Sequence, residues 1–212
     1  MIKGRVVDRL REILDDEINW IIPPHVNYLY YLGGITLLLF LVQVVTGVLL
    51  MIYYHPSTEE AYQSVRFIMS DARLGWLIRG VHKWGADLMM LTLLLHLLRV
   101  YFYGSYKPPR ELNWVVGVFL LLGTWIFAFT GYLLVWDQRA FWVIDSFRRI
   151  IGDLPVLGGF FLRLLWGGTE VTEATLLRFY VFHVGILPWI MILFLFLHVL
   201  LIRRLGISEP LE

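Results

Sequence analysis

A chain of 212 residues that is 58% hydrophobic lies outside the range of an ordinary soluble domain, where roughly 45–50% is usual. It holds no cysteine, which excludes disulfides, thiolate-bound clusters and thioether attachment of a prosthetic group. A net charge of +1 argues against a nucleic-acid partner.

Residues 3–18 space apolar positions at helical intervals between charges, so an amphipathic helix lying on a membrane surface is predicted over 1–22. That stretch is charged rather than continuously apolar, so no cleavable signal peptide is expected. "PPHVN" (23–27) breaks the helix, and residues 23–212 are read as a single membrane domain. A bilayer crossing needs about 20 apolar residues. Four such runs occur, at about 32–54, 78–102, 113–135 and 179–202. Spans two and three are joined by a short turn with a double proline, whereas the connections at about 55–77 and 136–178 are longer. The apolar but Pro- and Gly-interrupted stretch 152–168 predicts short interfacial helices. The fold class is therefore an all-α membrane protein, a four-helix bundle preceded by a surface helix. Nine Lys and Arg residues fall on each side of the membrane; the side of the termini is denser in short segments and is favoured as cytoplasmic.

Two of the spans carry histidines in pairs. His82 and His96 are 14 residues apart in the second span, and His183 and His198 are 15 apart in the fourth. Fourteen residues turn about 1,400°, within some 40° of four turns, so both rings of the first pair share a face. Fifteen overshoot by some 60°, which helix tilt or a side-chain rotamer is expected to absorb. Consecutive spans alternate in direction, so spans two and four run parallel. His82 then meets His183 at one depth, and His96 meets His198 at another. Two imidazoles facing each other at one depth suit a six-coordinate haem iron, which predicts two haems stacked across the membrane. Gly33 and Gly47 in the first span, and Gly117 and Gly131 in the third, repeat the 14-residue interval. They leave room for a flat ring at the same depths. Glycine also serves plain helix packing, which accounts for any one of the four but not for the shared interval. Zinc is not favoured, since no site gathers three or four ligands. Arg79 and Arg99 stand one turn outside their histidines and are candidates for haem propionates, with interfacial snorkelling as the competing reading. His25 and His55 read as interfacial polar residues.

Around these residues the sequence resembles the cytochrome b family of quinol-oxidising bc and b6f complexes. The resemblance is carried by "GWLIRGVHKW" (75–84), "LLLHLLRVYFYGSYKPPREL" (93–112), "TGYLLVWDQRAFW" (130–142) and "TLLRFYVFH" (175–183). "PPHVNYLYYLGGITL", "RRLGIS" and the 15-residue histidine spacing resemble the b6 type, the split N-terminal half of a cytochrome b. The resemblance implies two non-covalent, bis-histidine b haems. It implies a proton-translocating complex that carries electrons from a positive-side quinol site to a negative-side quinone site, inactive as a lone subunit. His82 and His183 would bind the positive-side haem and His96 and His198 the negative-side one. Both termini would then lie on the negative, cytoplasmic side of a bacterial cytoplasmic or photosynthetic membrane. Trp136, Asp137, Gln138 and Phe141 match a segment of the quinol-oxidation pocket, with interfacial anchoring as the competing reading. Arg203 matches a basic residue near the negative-side haem and quinone. Expected partners are a Rieske iron–sulfur protein, a separate subunit supplying the remaining cytochrome b helices, a c-type cytochrome, lipids and quinones, in a dimeric complex.

Three positions depart from the b6 type. Tyr31 stands where that type carries the cysteine of a covalent extra haem, so no such haem is expected, and the ring of Tyr31 or a quinone would fill the space. Val135 replaces a proline. Asp87, one turn from His82, is expected to pair with Lys83 or face water. The rival reading is the dihaem membrane anchor of a formate dehydrogenase, hydrogenase or nitrate reductase, which lacks the glycine frame and "WDQ".

Overall fold

The computed structural model describes residues 25–209, and no strand occurs among them. The surface helix expected over 1–22 lies outside the described residues. A 3-10 turn over Tyr28–Tyr31 leads into α1 (Leu32–Met51), and Asn27 caps it by accepting from the Leu29 N–H at 3.0 Å. Then follow α2 (Ala61–Ser70), α3 (Gly75–Phe102), α4 (Glu111–Leu133), α5 (Gln138–Gly152) and α6 (Gly158–Phe161). A π-turn over Leu162–Trp166 precedes α7 (Glu173–Tyr180). A second π-turn over Val181–Ile186 joins α7 to α8 (Leu187–Leu205). Four of these stretches are long and apolar enough to cross a membrane: Tyr28–Met51, Gly75–Phe102, Glu111–Leu133 and Glu173–Leu205.

The boundaries that differ from the sequence reading have local causes. The first span stops at Met51, because the Tyr53 and Tyr54 N–H groups both turn back to the Leu50 carbonyl. Tyr54 then donates its hydroxyl to the Leu134 carbonyl at 2.8 Å and stacks on Tyr180, tying this turn to the ends of α4 and α7. Its phenol lies in a connecting loop, and burial pushes its pKa up. The second span starts at Gly75, whose α-carbon packs so closely on the Ile68 carbonyl that no side chain would fit. The fourth helix begins at Glu173, ahead of the expected 179, because the π-turn carries the helix on without a break. Pro188 explains that turn. It has no N–H to close an ordinary helical bond, so the ladder widens by one residue.

Within the bundle α1 packs along α3 and α4 along α8, while the histidine helices α3 and α8 stay apart. Midway along, Phe40, Met89, Val116, Leu120 and Met191 form an apolar plug. At the end of the bundle away from the termini, α5 to α7 fold back as a cap. Its core is Leu133, Ala140, Ile144, Leu162, Trp166 and Phe179. The short helices expected over 152–168 are present as α6 and the first π-turn, whereas α2 and α5 lie in stretches the sequence reading left as plain connections. In the cap, Asp145 accepts from Arg148 at 2.7 Å and from Arg149 at 2.8 Å. The bonded Arg148 holds the Asp145 carboxyl below the usual aspartate range, and Arg149 adds to this.

Candidate cofactor site between the histidine helices

The four helix histidines meet in two pairs. His82 and His183 have ring centroids 6.5 Å apart on the side of the long loops, and His96 and His198 have theirs 6.4 Å apart on the side of the termini. The rings are steeply inclined to each other, at 72° and 82°. A first-row metal sits about 2.0 Å from an imidazole nitrogen, and a ring centroid lies about 1.1 Å behind that nitrogen. Two such ligands in line therefore have centroids about 6.2 Å apart, and both pairs lie within a few tenths of an ångström of that spacing. No group of three or more His, Cys, Asp or Glu capable of holding a metal occurs among the described residues. A metal at either level would thus draw its remaining ligands from a group it brings with it. α3 and α8 do not pack directly on each other there.

The 15-residue spacing is reconciled by the chain itself. His183 sits inside the π-turn over Val181–Ile186, which takes up one extra residue and so brings His183 and His198 toward one face. Each glycine of the 14-residue frame faces one imidazole. A β-carbon on Gly131 would lie 2.7 Å from His183 Cε1, on Gly33 3.0 Å from His96 Cε1, and on Gly47 3.3 Å from His82 Cε1. On Gly117 it would lie 3.6 Å from His198 Cε1, an ordinary contact. Three of the four glycines thus leave room that a side chain would take from a ring.

Two residues missing from the sequence reading touch the rings. Thr46 Oγ1 lies 2.8 Å from His82 Nδ1, and Thr130 Oγ1 lies 3.0 Å from His183 Nδ1. Both are buried, and each precedes a frame glycine. The dipeptide "TG" at 46–47 and 130–131 was the available signal. At the other level, Leu32 and Val116 hold the equivalent places; His96 Nδ1 has no hydrogen-bond partner, and the His198 ring has only the Asn113 main chain.

Arg99 is buried, with its guanidinium carbon 3.4 Å over the Tyr30 ring and 5.1 Å from that of Tyr103. Its Nε and Nη2 lack partners, which leaves donors for an anion. Arg79 instead directs Nη1 at Met69 Sδ on α2, at 3.4 Å. Arg203 stands exposed in the last turn of α8. Tyr31 does not fill the interior as expected, being 54% exposed. Tyr30 turns inward in its place, its hydroxyl donating to the Ser208 carbonyl at 3.1 Å. Lys83 and Asp87 do pair, at 3.2 Å on the outer face of α3.

At the loop side, Trp136, Asp137 and Gln138 line one pocket of about 420 Å³ with Thr58, Tyr62 and Arg139. Phe141 lies a turn further on and does not line it. Trp136 adopts a left-handed backbone, φ 52°, which is strained for a bulky residue. Asp137 is committed locally, since its carboxylate caps α5 by accepting from the Ala140 N–H at 2.8 Å. The Val135 N–H donates to the Tyr132 carbonyl, a bond a proline at that place would forgo.

Comparison with known proteins agrees with this architecture. Residues 17–206 match the family model described as Cytochrome b/b6/petB. Cytochrome b6 of Prochlorococcus marinus (strain MIT 9303) is 48% identical over 95% of this chain and 93% of its own length. Cytochrome b6 of Synechococcus sp. (strain CC9605) is 47% identical over the same shares. A solved structure described as Hyperthermophilic respiratory Complex III superposes with a TM-score of 0.85 at 33% identity over 95% of this chain. The chain spans about half, 54%, of the length of that complex III chain. Four apolar spans, two facing imidazole pairs and a match over most of the sequence converge: the chain belongs to the cytochrome b family.

Proposed function

We propose that this chain is the dihaem electron-carrying subunit of a quinol-oxidising, proton-translocating complex of the bc/b6f type. The observation that carries the reading is the doubled site: two imidazole pairs at metal-spanning separation, each flanked by frame glycines. His82 with His183, and His96 with His198, would hold the irons of two non-covalent b haems. When bound, the haems supply reversible one-electron chemistry, and saturation by two histidines suits electron transfer rather than ligand exchange.

The protein residues divide the remaining work. Gly33, Gly47 and Gly131 keep side chains away from the rings, and Gly117 keeps its level open. Arg99 presents unpartnered donors beside the termini-side pair, where a propionate carboxylate would satisfy them. Arg79 and Arg203 are assigned by family position. The apolar plug around Met89 and Met191 excludes water between the two levels. The pocket beside Trp136 and Gln138 is the quinol-oxidation site in this reading, completed by helices from a separate subunit. Phe141 borders it, and Asp137 acts there through its cap on α5 rather than as a free carboxylate. A Rieske protein and a c-type cytochrome are the acceptors, the complex is dimeric, and both termini face the negative side. Tyr31 offers no thiol, so no covalent extra haem is assigned.

The test is a pyridine haemochrome assay and an optical redox titration of the purified complex. Two extractable b haems per chain, titrating as two components reducible by added quinol, are expected. One haem per chain, or haem that quinol cannot reduce, would overturn the proposal.

A further inference from the structure

The two imidazole pairs differ in what holds the far side of each ring. Thr46 Oγ1 donates to the Val42 carbonyl at 2.6 Å and leans to Gln43 O at 3.3 Å, and Thr130 Oγ1 donates to the Ile126 carbonyl at 2.8 Å and leans to Phe127 O at 3.1 Å. A hydroxyl has one hydrogen, and here it is spent on main-chain acceptors. The short contacts to His82 Nδ1 and His183 Nδ1 must then be received, beside the main-chain acceptors that Gln43 and Phe127 offer the same rings, so each Nδ1 carries the proton and each Nε2 presents its lone pair. The opposite tautomer would set hydroxyl and carbonyl oxygens against each other with no hydrogen between them.

We propose that Thr46 and Thr130 are positioning residues for the loop-side pair, each fixing the tautomer that bares Nε2 and lowering the reduction potential of the group bound there. This rests on the haem reading given above. An acceptor on the distal N–H of a ligating imidazole orients the ring and raises its basicity. A more basic ligand favours the oxidised iron, so the potential falls. Translation by 14 residues along α1 and α4 carries Thr46 onto Leu32 and Thr130 onto Val116, neither of which has a hydroxyl. Of the rings they adjoin, His96 keeps an unpartnered Nδ1 and His198 has only the main-chain carbonyl of Asn113, with no hydroxyl at either. The hydroxyl is thus confined to one level.

The experiment is an optical redox titration of the purified complex carrying Thr46→Val, Thr130→Val, Thr46→Ser or Thr130→Ser. Each valine variant should raise the midpoint of one b component, by up to a tenfold change in its reduction equilibrium, about 59 mV for one electron. The other component should stay in place, and the serine variants should keep wild-type values. Loss of one component in a valine variant, with retention in the serine variant, supports the same conclusion. Wild-type midpoints in both valine variants, or equal movement of both components, would overturn it. Failure of the haem reading is separate: the unmutated complex would then lack two b components.

Discussion

The loop-side rings of His82 and His183 are held by threonine hydroxyls and crowded by Gly47 and Gly131. The termini-side rings of His96 and His198 have no hydroxyl partner; contact is tight at Gly33 and looser at Gly117, and a buried arginine stands beside them. A common frame of helices and glycines thus carries two environments. In the proposed reading, the repeat sets where a planar group fits, and the residue preceding each glycine sets how its ligand is held.

The largest effect that would break this comparison is loss of a level. His82→Ala or His183→Ala should remove one haem, and His96→Ala or His198→Ala the other, counted by pyridine haemochrome. If His82→Ala and His183→Ala removed haems of different spectra, the pairing of levels would be wrong. A smaller effect comes from adding one methyl. Gly131→Ala places carbon 2.7 Å from His183, an overpacking of about 1–3 kcal/mol, whereas Gly117→Ala meets His198 at 3.6 Å. Haem occupancy per chain should fall in the first variant and hold in the second; equal behaviour would mean that the glycines serve helix packing alone.

Smaller still is the effect of moving the hydroxyl to the other level. Val116→Thr should lower the midpoint of the termini-side component by less than a tenfold change in equilibrium, about 59 mV, in the same titration. No movement would show that a hydroxyl at this register does not reach the ring. The smallest effect concerns the cap that frames the loop-side level. Asp145 is held as a carboxylate by Arg148 and Arg149, so its depressed pKa stabilises the cap above the ordinary aspartate range. That contribution is lost as pH falls through the depressed value. Asp145→Asn should slightly lower the melting midpoint at neutral pH and flatten its decline in acid.

Much of the site was legible before any coordinates. The histidine and glycine intervals follow from helical periodicity alone, and antiparallel connection of the spans gives the pairing. The cytochrome b match also favours this family over the respiratory anchors that carry haems on similar helices. What escaped had no periodic signal. α2 and α5 are short amphipathic helices whose apolar faces are set by the cap they join, so their existence depends on partners distant in sequence. Thr46 and Thr130 looked like ordinary small polar residues until the rings were placed beside them. The π-turn was written in Pro188, but its effect on phase requires knowing where the helix ladder opens. Tyr30, which no pattern in the sequence singled out, packs against Arg99 from a 3-10 turn, while Tyr31 beside it is exposed.

The apolar plug between the levels has an electrical consequence. The hydroxyls beside it, Thr124 and Thr92, are bonded to the Leu120 carbonyl at 2.8 Å and the Met89 carbonyl at 3.1 Å, so among the described residues its core of Phe40, Met89, Val116, Leu120 and Met191 offers no side-chain donor to let a proton accompany a charge. In the proposed reading, a charge passing between the histidine levels travels about 21 Å along the helices, unneutralised, through hydrocarbon about 30 Å thick. It therefore crosses about 0.7 of the transmembrane field, an interaction of about 1.6 kcal/mol per 100 mV. The spacing of His82 from His96 thus sets how strongly membrane voltage opposes or assists the movement of each electron.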